Sequence, residues 1–156
     1  CTSMEKSART FTKLLEEELR DVILSNLNTH YQGTASGETF NKVGKTDIYI
    51  PFENKAAYIA ECKVWHGNKK FIEAIDQLCG YTTWRDTKTS LVIFNKDNKN
   101  FGALLDSVNN SLRTSERCKE IIQIGHNQWQ GIFTKEVDSK DTLTINVTVY
   151  DLYVKE

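Results

Sequence analysis

The chain has 156 residues, 39% hydrophobic and 26% charged, with a formal net charge of −1. That length suits one domain with a real hydrophobic core and is short for two, so residues 1–156 read as a single domain. The composition is that of a soluble globular chain; no apolar run approaches the roughly 18 residues that span a bilayer, and no global basic field advertises nucleic-acid binding.

No basic segment followed by an apolar one opens the chain, so no signal peptide is visible and a membrane is not expected as a partner. Cys1 precedes Met4, which reads as a processed or excised piece of a larger protein. The cysteines Cys1, Cys62, Cys79 and Cys118 stand far apart with no CxxC pair. This argues against a zinc site and a disulfide framework, and it fits a reducing cytoplasm. His30, His66 and His126 are equally scattered and read as surface or structural residues.

Residues 7–30 place Phe11, Leu14, Leu15, Leu19, Val22, Ile23 and Leu27 at helical spacing, which predicts one amphipathic helix of about six turns. At about 100° per residue, Glu18 falls inside the apolar stripe and Glu17 just off its edge. The plain reading of Glu16, Glu17 and Glu18 is a solvated run; the sharper one brings one of them to a site. Residues 31–44 form a Gly, Ser, Thr and Asn-rich loop with a short strand near 39–42. Gly44-Lys45-Thr46 is not a phosphate loop, because Thr39 stands where that pattern needs glycine and a strand follows instead of a helix.

Thr46 to Phe52 and Ala56 to Trp65 alternate β-branched and aromatic residues around a turn at Glu53-Asn54-Lys55, which predicts a β-hairpin. A helix is predicted over 69–81, a buried strand over 91–94 and a second helix over 101–112, the first of these giving a strand–helix–strand crossover with parallel strands. The chain ends in two alternating arms, 128–154, around Asp138-Ser-Lys-Asp141, read as a closing hairpin at the sheet edge.

An acidic residue two before a lysine occurs at 53, 61, 86, 97 and 138. All but one of these pairs fall in predicted turns, where a solvated ion pair explains them. Glu61-Cys62-Lys63 is embedded in an apolar strand, where charges destabilise unless paired or metal-bound. Alternation places Glu61 and Lys63 on one face. The hairpin brings Asp47 of the preceding strand opposite Glu61. Two carboxylates there suit Mg²⁺ or Mn²⁺, with Lys63 orienting a water or clamping a phosphate. A partly buried Glu–Lys ion pair is the simpler structural alternative.

At Asp47 and Ala60-Glu61-Cys62-Lys63 the chain resembles the PD-(D/E)XK nuclease superfamily. More narrowly it resembles prokaryotic domains of that superfamily through Glu-Leu-Arg-Asp at 18–21, Gly-Glu-Thr-Phe-Asn at 37–41, Ile-Asp-Gln-Leu at 75–78 and Thr-Trp-Arg-Asp at 83–86. The resemblance covers about residues 14–96; Thr46 replaces the literal proline before Asp47. It implies an α/β, restriction-endonuclease-like core with a central mixed sheet flanked by helices, and Mg²⁺- or Mn²⁺-dependent DNA endonuclease activity as the effector of a bacterial defence or restriction protein. It also implies Asp47 and Glu61 as metal ligands with the Cys62 main-chain carbonyl, Glu17 or Glu18 as a further ligand, Lys63 as catalytic, and Gln77 as its support.

Lys45, Lys69, Lys70 and Arg85 are the nearest candidates for contacts with the DNA backbone. Glu38 reads as solvated, and Tyr81 and Trp84 as packing residues. A homodimer or larger assembly is expected, so that two sites cut two strands. The competing expectations are a catalytically silent nuclease-fold module for DNA binding or assembly, and a nuclease acting on RNA or branched DNA.

Overall fold

The computed structural model describes the backbone of residues 2–30, 36–40, 45–52, 55–81, 89–135 and 140–155, and the side chains of 4–25, 59–80, 89–135 and 140–155. The amino-terminal segment is not one helix. It forms α1 (Thr2–Lys6), α2 (Ala8–Phe11) and α3 (Glu16–His30). The break at 12–15 has a local cause. Glu18 reaches back so that its Oε2 accepts from the Leu15 backbone N–H at 2.7 Å, and the Leu15 carbonyl accepts the first bond of α3 from Leu19 N–H. This is half of a capping box, with Leu15 in the N-cap place and its own side chain exposed. The Leu14 carbonyl, which a continuous helix would have satisfied, is taken by Lys96 Nζ at 2.5 Å.

Three strands follow: β1 (Ser36–Phe40), β2 (Lys45–Phe52) and β3 (Lys55–Val64), joined antiparallel in chain order. Helix α4 (Asn68–Tyr81) crosses to β4 (Thr89–Asn95), which runs parallel to β3 as the strand–helix–strand pattern predicts. Then come α5 (Phe101–Thr114), β5 (Cys118–Gly125), β6 (Gln128–Thr134) and β7 (Thr142–Asp151). The result is a mixed seven-stranded sheet in the order β1-β2-β3-β4-β7-β6-β5, flanked by helices.

The closing hairpin is β6 and β7, but it does not sit at the sheet edge. Strand β7 is inserted beside β4, parallel to it, and β6 separates it from β5. Strand β5, which the alternation rule does not detect, takes the edge. Its ladder to β6 is shifted between Cys118 and Glu120 and again between Gln123 and Gly125, and each shift breaks the period of two.

Burial follows the sheet faces. On one face Ile59, Leu91, Ile93, Ile145, Val147, Val149, Trp129 and Phe133 pack with Phe71, Ile75 and Leu78 of α4 and Leu104, Val108 and Leu112 of α5. Asn100 starts α5 by accepting from Ala103 N–H at 3.0 Å. On the other face Ala60, Cys62 and Phe94 pack with Met4 of α1, Leu19 and Ile23 of α3, and Leu152. Among the described residues no helix is long and apolar enough to cross a membrane.

Candidate active site

Strand β3 alternates strictly: Ile59, Glu61 and Lys63 belong to the face under α4, while Ala60 and Cys62 pack in the opposite core. The parallel register sets Glu61 beside Leu91 and Lys63 beside Ile93. The Glu61 side chain is therefore only 4% exposed among aliphatic neighbours, and its Oε2 lies 3.8 Å from Lys63 Nζ. A carboxylate without such a partner would cost several kcal/mol in that position.

A second carboxylate meets the same ammonium. Glu16 Oε1 is 3.8 Å from Lys63 Nζ, and Glu16 Oε2 accepts from Val64 N–H at 2.8 Å. Trp65 N–H donates to Phe94 on the β4 side, so the Val64 N–H faces the β2 side of the strand. The β2–β3 ladder runs from Phe52–Lys55 to Ile48–Ala60. Beyond it, Glu16 supplies the acceptor for Val64 that a neighbouring strand would otherwise provide. One step past the last ladder pair, position 47 stands level with Glu61. The β1 register, with Gly37 opposite Ile48 and Thr39 opposite Thr46, brings position 38 level with position 47.

Lys63 and Glu16 open into a cleft of about 640 Å³ whose other wall is α4. Lys70, Glu73 and Gln77 line it at spacings that place them on one helix face, and Lys70 Nζ is 3.0 Å from Glu73 Oε2. His66 stands at the cleft beside them. The lining sets the carboxylates of Glu16 and Glu73 against the ammonium groups of Lys63 and Lys70, with Asp76 as a third acid that is paired outside the cleft, so the cleft carries no net positive charge.

Asp76 turns toward the far side of α4, where Arg117 Nε holds it at 2.9 Å. Arg117 also donates to the carbonyls of Thr134 and Lys135. Cys79 is buried nearby. Burial pushes its thiol up to about 11, against a smaller lowering by the Arg117 charge. Burial also raises Cys118. Both thiols stay protonated at neutral pH, which makes them poor nucleophiles.

The structure thus brings Lys63 and Gln77 to one cleft, with Glu61 buried against Lys63 and the Cys62 backbone between the two. Among the first-helix glutamates it brings to β3 one that is not among the expected ligands. Glu17 and Glu18 are exposed, the Glu18 carboxylate is engaged in capping its own helix, and Glu16 is the one that reaches β3. Of the predicted backbone-contacting cations, Lys70 lines the cleft in an ion pair, and Lys69 is exposed outside its lining. The side chains of Asp47, Glu38, Lys45, Tyr81, Trp84 and Arg85 lie outside the described residues. His66, expected in a surface or structural role, and Glu73, for which no role is expected, also line the cleft; Glu73 is detectable at one turn from Gln77 on the same helix face.

Among the described residues no group of three or more His, Cys, Asp or Glu side chains is gathered tightly enough to hold a metal. The described oxygen donors nearest Lys63 are two carboxylates, Glu16 and Glu61. Mg²⁺ and Mn²⁺ are ordinarily held through one or two carboxylates with water and substrate oxygens, rather than in an all-protein cage. Comparison with family models, with curated proteins and with solved structures finds no match for this chain.

Proposed function

We propose that the chain is a divalent-cation-dependent nuclease domain that hydrolyses DNA phosphodiester bonds, with a restriction-endonuclease-like core. The observation that carries this reading is the buried Glu61 carboxylate held against Lys63, whose side chain lines an open cleft, with Glu16 converging on the same ammonium. Burying a charge is costly. A packing position under α4 would favour an aliphatic residue such as its neighbours Ile59 and Leu91.

Each residue has a task in this reading. Lys63, a compact charge with three donors, hydrogen-bonds a non-bridging phosphate oxygen or the attacking water. Glu61 fixes Lys63 and, with Asp47, offers oxygen ligands; Glu16 closes the set from α3. When bound, the cation supplies charge neutralisation and a more acidic water. Gln77 offers an amide to the phosphate from the helix wall. Cutting both strands takes two such sites, which a homodimer or larger defence assembly provides.

Supercoiled plasmid incubated with Mg²⁺ or Mn²⁺ tests the reading. Lys63→Met, Glu61→Gln and Asp47→Asn are each expected to lower nicking and linearisation by at least about 10²-fold, the usual effect of removing one transition-state contact, with circular dichroism unchanged. Undiminished cleavage by Lys63→Met sinks the assignment. RNA and branched DNA in parallel lanes decide between substrates. One observation favours a second reading: the Glu16–Lys63–Glu61 ion pairs also tie α3 to β3, as they would in a silent DNA-holding module. That reading predicts DNA binding without turnover in the wild type.

A further inference from the structure

A cleft without net positive charge poses a problem for a polyanionic substrate, and a positive surface lies next to it. A second groove, of about 870 Å³, is lined by Arg9 of α2, Lys13 of the 12–15 turn, Lys96 just past β4, and Lys155 with Tyr153 in the tail beyond β7. Among the described residues Asp97 is the one acidic residue in its lining. Four cations thus gather on a chain whose net charge is −1. Among the described residues none of them makes a salt bridge. Arg9, Lys13 and Lys155 are exposed, while Lys96 is held by the Leu14 carbonyl.

Topology places the groove beside the site. Strands β3, β4 and β7 are parallel to one another, so their carboxyl ends lie at one end of the sheet, where open α/β sheets bind ligands. Lys63 is the last residue but one of β3, Lys96 follows β4 and Tyr153 follows β7. The partition between cleft and groove is the 12–15 turn, whose Leu14 carbonyl binds Lys96 and whose next residue but one is Glu16. The far wall is braced as well. Buried Asn95 donates to Asp151 Oδ1 at 2.9 Å, which also accepts from Tyr153 N–H at 3.1 Å, and Asp151 N–H donates to Glu5 at 2.9 Å.

We propose that this groove is the track for the DNA phosphate backbone, with Arg9, Lys13, Lys96 and Lys155 on successive phosphates and Tyr153 against the sugar or base, leading the strand past residue 14 to Lys63. The proposal rests on the nuclease reading for its direction, and on the groove's own charge for its partner.

The test is fluorescence anisotropy with a labelled DNA duplex over a salt series in Mg²⁺. It is run in the Lys63→Met background so that no strand is cut. Lys13→Gln with Lys155→Gln, both exposed, is expected to weaken binding about tenfold or more and to lower the log–log salt slope by about two, one per lost phosphate contact. Lys119→Gln, on the distant edge strand, is expected to leave both unchanged. Unaltered affinity and slope in the double variant overturn the groove, as does a wild type that binds phosphatidylserine vesicles through the same lysines and not DNA. The two readings fail separately. Plasmid cleavage that the double variant leaves intact removes the groove alone, and groove-dependent binding with no cleavage by the wild type removes the nuclease alone.

Discussion

Glu16, Glu17 and Glu18 stand in consecutive positions and do different things. Each step along α3 turns the side chain by about 100°. Glu16 faces the end of β3, Glu17 faces solvent, and Glu18 folds back on Leu15. A wheel drawn for an unbroken helix over 7–30 carries the phase of Phe11 and Leu14 forward, and so puts Glu18 in the apolar stripe. The break at 12–15 resets that phase. By contrast Glu61 and Lys63 are legible from the strand period alone, because nothing interrupts β3 between them.

The division of labour is testable at this scale. Glu18→Ala is expected to cost about 0.5–1 kcal/mol in urea unfolding by removing the cap, with plasmid cleavage retained. Glu16→Gln is expected to lower cleavage at least about tenfold while the protein stays folded. Equal loss of cleavage in both variants would mean that the start of the helix matters and the Glu16 carboxylate does not.

At the scale of elements, the helix α4 follows its hydrophobic period closely because it buries one clean face, and β4 reads as a fully apolar run because it is covered on both. Strand β5 does neither: Ile121 packs on the core while Ile122 and Ile124 are 55% and 58% exposed, and two register shifts scramble its alternation. What holds this edge to the sheet is close packing at Gly131 of β6, opposite both Ile121 and Ile145. A Cβ at Gly131 would stand 2.5 Å from Phe133 Cε2 and 2.8 Å from Ile121 Cδ1. The Ile121 tip is half-buried and can shift, but the Phe133 ring is fully buried. Gly131→Ala is therefore expected to destabilise by about 1–3 kcal/mol, read as a lowered urea midpoint with unchanged slope. A variant as stable as wild type would show that the ring has room to move.

For the whole molecule, the consequential feature is one that local pattern does not carry. Alternation identifies β6 and β7 as strands and says nothing about which neighbours they choose, so the simplest placement, a hairpin added at the edge, differs from the observed one. Non-local pairing decides it: β7 lies between β4 and β6, and supplies Ile145, Val147 and Val149 to the core under α4 and α5. The basic groove has the same origin, since residues 9, 13, 96 and 155 become neighbours only when β4 and β7 end side by side. An edge hairpin is dispensable, whereas a central one is not. Truncation after His126 removes β6, β7 and the tail, strips β4 of one neighbour and leaves β5 without its partner. It also exposes the apolar surface of Leu104, Val108 and Leu112, at roughly 25 cal/mol per Å², which is large against the ordinary 5–15 kcal/mol of domain stability. The truncated chain is expected to lose its near-ultraviolet circular dichroism and cooperative unfolding and to aggregate, although residues 14–96, with the whole lining of the Lys63 cleft, remain. A truncated chain that still unfolds cooperatively and cleaves plasmid would show that α3 through β4 fold by themselves, with β7 merely docked on them.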